Sequence, residues 1–509
     1  MKIKLIIFIP LITALILIAQ NDIIMWSKTF DGICHQEDVA YDVELTSDGG
    51  YVVAGVKWDQ APFSPDWIFP HMWILKLDAN GDTLWTTTYY HNIEISDPLY
   101  NDYYFHYAEA YDIEQTSDDG FVICGYVEIE LPDSTPNYRD AMCILKLDKF
   151  GVIEWNKIHY EEQTNVAKSI KQTSDGGYIV AGEIKSINSS SKRMGKLLRL
   201  DALGDTLWTK NYSRDDSLSM WFDKLSLSSD SSFAVTGSNT IMFKNDGEVV
   251  WNKQHILGER FYDIKKTADD NFIVAGYAYI EVMSAFGIQL INFNTYGDTL
   301  WTKTIDSGIY DKSCYGKSVE ILPDESYILG TEIYEDSDFI DWWIIKTDSF
   351  GDTLWTKCYG SNSFDFLNSI KYTADGGYIV CGDTEGSYAS DNSSDWTDMW
   401  VLKLDQDGNY TGIENNEELL ITDYKLFQNY PNPFNNQTSI GYILHNISEV
   451  ELMVFNSKGE FVQNLIKAKQ DKGKQSVIFN ANNLNSGVYY YRLSVDGITK
   501  ETKKMLYLK

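Results

Sequence analysis

Along most of the chain, apolar and polar residues alternate over short stretches separated by clusters of Gly, Asp, Asn, Ser and Thr. Period-two alternation puts every second side chain on one face of a β-strand, and the clusters supply positive φ and side-chain caps for tight turns. One such strand follows a polar turn in TSDGGYVVAG (Thr46–Gly55), TSDDGFVICG (Thr116–Gly125) and TSDGGYIVAG (Thr173–Gly182). Weaker copies are SSDSSFAVTG from Ser228, TADDNFIVAG from Thr267, LPDESYILGT from Leu322 and TADGGYIVCG from Thr373. A second strand reads WILKLD at Trp73–Asp78 and recurs with varying fidelity. A third follows a DxxGD turn and carries a tryptophan, at Trp85, Trp155, Trp208, Trp251, Trp301 and Trp355. The units number seven and recur about every 54 residues, a period found in propellers, solenoids and arrays.

Six tryptophan strands serve seven units. The last unit runs from LDQDGNY into TGIENNEE without one, whereas IIMWSKTF (Ile23–Phe30) matches the missing strand and stands alone before the first unit. A solenoid has free ends and needs caps, while a ring closes when an N-terminal strand completes its last unit. The displaced Trp26 therefore predicts an all-β chain with a seven-bladed β-propeller closed by an N-terminal strand. With that strand outermost, both short turns of every blade fall on one face of the disc. The long, irregular connections fall on the other.

Those connections differ widely, as binding loops on a constant scaffold do. Val56–His71 and His91–Tyr107 are long and aromatic, so Trp58, Trp67, His71, Tyr103 and Tyr104 form a candidate platform for a glycan or a peptide. The plainer reading is a local core that packs the loops on one another. Asp341 and Asp398 each stand two residues before a strand tryptophan and are further candidates for the loop face.

The opening residues, MKIKLIIFIPLITALILIAQ, combine two lysines, an apolar run and a small residue before Gln20, the pattern of a secretory signal peptide over 1–19. The propeller is expected over 20–410, a linker over 411–423 and a distinct C-terminal β-sandwich over 424–509. The last segment holds 11 basic and 6 acidic side chains, whereas the propeller with its linker holds 29 and 68, so a boundary lies between them. Its alternating strands and polar turns describe a small sandwich.

That segment contains YKLFQNYPNPFNNQTSIGYIL from Tyr424, ELMVFNSKGEFVQNL from Glu451, SGVYYYRLSVDG from Ser486 and KKMLYLK from Lys503. In this order it closely resembles the type A C-terminal sorting domain of the bacterial type IX secretion system. The matching residues are Asn429, Pro431, Asn432, Pro433, Phe434, Gly487, Tyr489, Lys503 and Lys504; Asn436 replaces a proline of many members. The resemblance implies a host among the Bacteroidetes or a relative, and partners in the type IX translocon and its sortase-like processing machinery. It further implies a secreted or surface-attached product from which the signal peptide and the sorting domain have been removed.

Signs of chemistry are sparse. The chain has no HExxH, GxSxG, P-loop or paired CxxC signature, so no catalytic residue is assigned. The LDANGDTLW turn has the wrong spacing for the Asp-box of sialidase-type propellers. His159 and His255 occupy the same place in their units and belong to the scaffold. DANGD from Asp78 and DQDGN from Asp405 make calcium a secondary candidate cofactor, but they lack the remaining ligands of a full loop. Of six cysteines, Cys124 and Cys381 replace the Ala of VAG and are expected in the core, while Cys34, Cys314 and Cys358 lie near connections, with pairing left open. No metal ligand set is assigned. A net charge of −32 argues against a nucleic-acid partner and suits a soluble surface protein, expected as a monomer. The favoured function is a non-enzymatic binding protein for an extracellular protein or polysaccharide. The alternative is a propeller-fold hydrolase or lyase acting on polysaccharide, with paired carboxylates as acid and base.

Overall fold

The computed structural model describes residues 25–31, 37–61, 64–89, 107–130, 138–161, 164–185, 192–214, 218–255, 259–308, 312–334, 339–361, 363–385, 397–410, 425–426, 429, 434–435, 437–444, 447–470, 473–481, 484–507 and 509. The chain divides into two compact units, Met1–Asn415 and Asn416–Lys509. Apart from one 3-10 turn at Glu281–Met283, every regular element among the described residues is a strand.

In the first unit the described strands form seven four-stranded antiparallel sheets. Six are built from consecutive strands, the first from Val39–Leu45, Tyr51–Ala61, Ser64–Leu77 and Thr83–Tyr89. The seventh combines Asp365–Tyr372, Tyr378–Glu385 and Thr397–Leu404 with the distant strand Trp26–Phe30. There Trp26 faces Lys403, the register place that Trp85 holds against Lys76 and Trp355 against Lys346.

The tryptophan and the DxxGD turn recur together because one packs under the other. Gly81 has φ +77°, and a Cβ there would come within 2.7 Å of the Trp26 ring, so both backbone and space require glycine. The same contact sets Gly151 on Trp85, Gly204 on Trp155, Gly247 on Trp208, Gly297 on Trp251, Gly351 on Trp301 and Gly408 on Trp355. Each contact joins one sheet to the next in sequence, and the Trp26 contact joins the seventh sheet to the first.

The TSDGG turns are fastened by a carboxylate. Asp48 accepts hydrogen bonds from the Thr46 hydroxyl at 2.5 Å, the Gly50 amide at 3.0 Å and the buried Lys76 ammonium at 2.9 Å. Asp118 and Asp375 repeat this with Lys146 and Lys403, and Asp175 with Arg199. Burial pushes Asp48, Asp118 and Asp375 upward, but the donors outweigh it and hold all three below the usual carboxylate range. Asp175, with the Thr173 hydroxyl as its largest influence, is held at about 2. A depressed folded pKa gives stability that is present above the unfolded value and is lost as pH falls through the folded one. The thermal midpoint is expected to drop progressively from about pH 4 to about pH 2. A midpoint that stays level across that window would show that these turns contribute nothing.

One expectation changes. Val56–His71 is not an irregular connection: Lys57 pairs with His71, and Trp58 with Pro70, in a hairpin that extends the first sheet. Its prolines obscure the ladder in the sequence. Among the described residues the fourth strand pairs only as far as Met72, so Pro70 has one described neighbour and no described second ladder to serve.

The second unit has its own core. Lys425–Leu426, Gln437–Leu444 and Gly473–Asn480 form a three-stranded sheet. A four-stranded sheet runs in the order Phe461–Gln470, Ser448–Asn456, Gly487–Val495, Ile498–Tyr507. Phe434, Tyr442, Phe479, Tyr491 and Tyr507 are buried together in its core.

Candidate functional site

The first strand of each of the seven sheets carries one β-bulge, and the ladder skips one residue there. The skipped residues are Tyr41, Tyr111, Lys168, Asp223, Tyr262, Lys317 and Asn368. A bulge sets two residues against one and re-aims a side chain that alternation would otherwise place on a sheet face. All seven side chains line a single cavity of about 160 Å³.

The next residue in each strand builds the floor. Ser369 donates to Asp42 at 2.6 Å, Ser169 to Asp112 at 2.9 Å and Ser318 to Asp263 at 3.0 Å, each bond joining two sheets. The Lys224 ammonium reaches Asp112 at 2.7 Å and Asp42 at 3.2 Å. Burial disfavours its charge, but the two carboxylates prevail and raise its pKa. Against the cost of burial, Lys224 and Lys371 hold Asp42 well below the usual range, whereas burial keeps Asp112 raised. Beyond this floor lies a second cavity of about 440 Å³, which shares Lys265 and Lys371 with the first. Its wall alternates in sign: Lys371 pairs with Glu44 at 2.9 Å, Lys265 with Glu320 at 3.1 Å and Lys171 with Glu114 at 4.0 Å.

Around the mouth, most charges are matched. Glu109 accepts from the hydroxyls of Tyr41, Tyr111 and Tyr126 at 3.0, 2.8 and 3.0 Å. Burial, then the Glu109 charge, raises the pKa of Tyr41 and Tyr111, so both phenols stay protonated. Asp223 accepts from Arg260 and from the Trp221 indole, and Lys317 pairs with Glu332 at 3.0 Å. An aromatic row leads outward over the fifth and sixth sheets. Tyr262 meets Tyr277 at 6.0 Å, Tyr277 meets Tyr315 at 4.8 Å and Tyr315 meets Tyr334 at 5.9 Å.

Of the residues singled out in the sequence, the described ones line neither cavity. Trp58 is half-buried, its amide donates to Asp38, and its ring meets Tyr107 edge-on at 6.0 Å. His71 is buried, which lowers its pKa to about 4 and keeps the imidazole neutral. Trp67 lies in the Ser64–Leu77 strand with its side chain outside the described residues, as are Tyr103 and Tyr104 entirely. Asp341 and Asp398 stand near the starts of their strands in the sixth and seventh sheets, opposite Ile333 and Thr384. His71, Asp341 and Asp398 thus belong to three different sheets and line neither cavity. The Asp78 and Asp405 carboxylates accept amide bonds within their own turns. Among the described residues, no group of three or more His, Cys, Asp or Glu side chains is placed to hold a metal ion. Cys124 and Cys381 are buried free thiols; Cys34 lies outside the described residues.

The bulge column was missed in the sequence, although it carries a signal. Each member stands five residues before the start of its polar turn, as Tyr41 before Thr46 and Lys168 before Thr173. Aligned on those turns, it is a polar column that varies in charge and size.

In the second unit, Asn429 is buried, and its amide donates to the Tyr491 hydroxyl at 2.8 Å. Phe434 bridges to Tyr507, and Tyr489, two residues after Gly487, pairs with Met505. Lys503 pairs with Glu501 at 2.8 Å, and Lys504 faces Tyr490 in the same ladder. Pro431, Asn432 and Pro433 lie outside the described residues.

Residues 428–507 match the family of secretion system C-terminal sorting domains. The second unit is thus a type IX sorting domain, which marks the chain for export to the cell surface or beyond with removal of the domain. No curated protein matches the chain. Among solved structures, a protein of unknown function from Bacteroides caccae is 10% identical at TM-score 0.35, covering 64% of this chain and 94% of its own. Virginiamycin B lyase from Staphylococcus aureus is 10% identical at TM-score 0.36, covering 72% and 99%. YCF48 bound to D1 peptide is 7% identical at TM-score 0.40, covering 75% and 95%. These likenesses are too distant to carry a fold or a function to this chain.

Proposed function

We propose that the chain is an exported β-propeller binding protein, its seven sheets being blades of a ring closed by Trp26–Phe30, with an extracellular ligand held at the mouth of the axial cavity. The observation that carries this reading is the convergence of seven bulged side chains, one from each sheet, on one cavity. The circuit of tryptophan–glycine contacts supports the ring, since it returns from the seventh sheet to the first. Bulged residues stand outside the ladder, so their chemistry varies at little cost to the scaffold. The type IX translocon is the partner for export, and a protein or polysaccharide outside the cell is the ligand.

The test is a screen of extracellular polysaccharides and proteins with the exported protein, run beside the Tyr111→Ala/Tyr262→Ala variant. Retention is expected to fall by about tenfold or more, the scale of lost hot-spot aromatics, with the melting temperature little changed. Unchanged retention would sink the reading. Shortening of a retained polymer would replace it with the hydrolase or lyase alternative.

A further inference from the structure

We propose that the mouth receives an acidic sugar residue at the end of a polysaccharide, with its carboxylate on Lys168 and its hydroxyls on the phenol oxygens of Tyr41 and Tyr111. This rests on the reading of the mouth as the binding site and names what it binds.

Of the lysines that line the cavity, Lys224, Lys265, Lys317 and Lys371 each pair with a described carboxylate, and Lys168 does not. Among the described residues, its ammonium makes no ion pair and no hydrogen bond; it sits 3.3 Å from the centre of the Tyr111 ring. The carboxylates that act on its charge are Asp223, Glu183 and Glu109. Each is already served: Asp223 by Arg260 and Trp221, Glu183 by Arg193 at 3.0 Å, and Glu109 by three tyrosine hydroxyls. Burial pushes the Lys168 pKa down, and the pull of Asp223, Glu183 and Glu109 offsets it only in part. A half-buried cation whose charge is only partly offset is a costly group, and an anion delivered to it reduces that cost.

The neighbouring hydroxyls decide what else the ligand must carry. The protons of Tyr41 and Tyr111 are committed to Glu109, so toward the cavity both oxygens offer lone pairs only. Their partner must be rich in donors. A carboxylate flanked by several hydroxyl groups meets both demands at once, whereas the carboxyl end of a peptide supplies the acid with few donors. At about 160 Å³ the cavity is smaller than the pockets that enclose drug-sized ligands. It admits one sugar residue, and the aromatic row from Tyr262 to Tyr334 runs on under the rest of a chain. The net charge of −32 repels an acidic polymer at long range. Salt near 0.15 M screens that repulsion beyond about 8 Å and weakens a buried contact much less.

The experiment is calorimetric titration of the exported protein at that salt with short galacturonate oligomers, the same oligomers as methyl esters, and a peptide with a free carboxyl end. The acid is expected to bind about tenfold or more tightly than the ester, the scale of a charge-assisted hydrogen bond. Lys168→Met is expected to lose that factor for the acid and to leave the ester unchanged. Because the substitution removes a half-buried charge that makes no ion pair with a described residue, its melting temperature should hold or rise, which keeps folding and binding separable. Equal binding of acid and ester, an unaffected Lys168→Met variant, preference for the peptide, or binding of no probe would each overturn the proposal. The broader reading of the mouth fails on a different result, namely retention that ignores Tyr111→Ala/Tyr262→Ala.

Discussion

Lys224→Met is expected to destabilise the first unit by about 3–5 kcal/mol, the loss seen when one member of a buried ionic group is removed. Lys224 is the shared cation of Asp42 and Asp112, whose side chains are 1% and 0% exposed. Without it, two buried carboxylates on different sheets face each other. One of them must take a proton or draw in water, and Asp112, already raised by burial, is the one that protonates. The damage therefore has a specific remedy. Adding Asp112→Asn to Lys224→Met removes the orphaned charge and keeps an acceptor for the Ser169 hydroxyl and the Ile170 amide. The double variant is expected to be more stable than Lys224→Met alone, a non-additivity typical of residues in one network. Chemical denaturation of the two variants beside the parent checks this. Equal stability of Lys224→Met and the parent would show that the three groups are not coupled.

The largest effect on the whole protein is expected from removing residues 424–509. Without the sorting domain, the first unit should remain in the periplasm of a type IX host in place of reaching the surface or the medium. Fractionation followed by blotting reads the outcome directly. Efficient surface delivery of the shortened chain would mean that the address lies elsewhere. A milder lesion should act through the same core: Phe434→Ala removes a buried ring that touches Phe479 and Tyr507, at a cost of about 3–5 kcal/mol to the domain.

The scaffold was legible in the sequence because it is repeated. GDTLWTK and TSDGG recur since the glycine must lie on a tryptophan and the aspartate must gather the turn, and neither role tolerates much exchange. The terminal unit was legible for a different reason, a set of motifs in fixed order. The cavity was not, because its residues are defined by what they do not share. Tyr41, Lys168 and Asp223 occupy one structural place with three chemistries, and reading that place requires knowing that the ladder slips there. In the sequence, Trp58, His71, Asp341 and Asp398 stand out instead, because they lie in long connections or beside strand tryptophans. His71 is buried, and Trp58 sits within a hairpin that lengthens the first sheet. A regular hairpin containing prolines looks like a loop until its pairing is seen.

The strand Trp26–Phe30 also sets a timetable. Its partners lie at the far end of the first unit: the Trp400 indole donates to the Ser27 hydroxyl at 2.9 Å across 373 residues of sequence. At synthesis rates of about 5–20 residues per second, roughly 20–75 s separate the emergence of the two partners from the ribosome. Pairings this remote form late, since the chain between them must be gathered first. A first unit whose Trp26–Phe30 strand pairs with its seventh sheet stays incomplete throughout that interval.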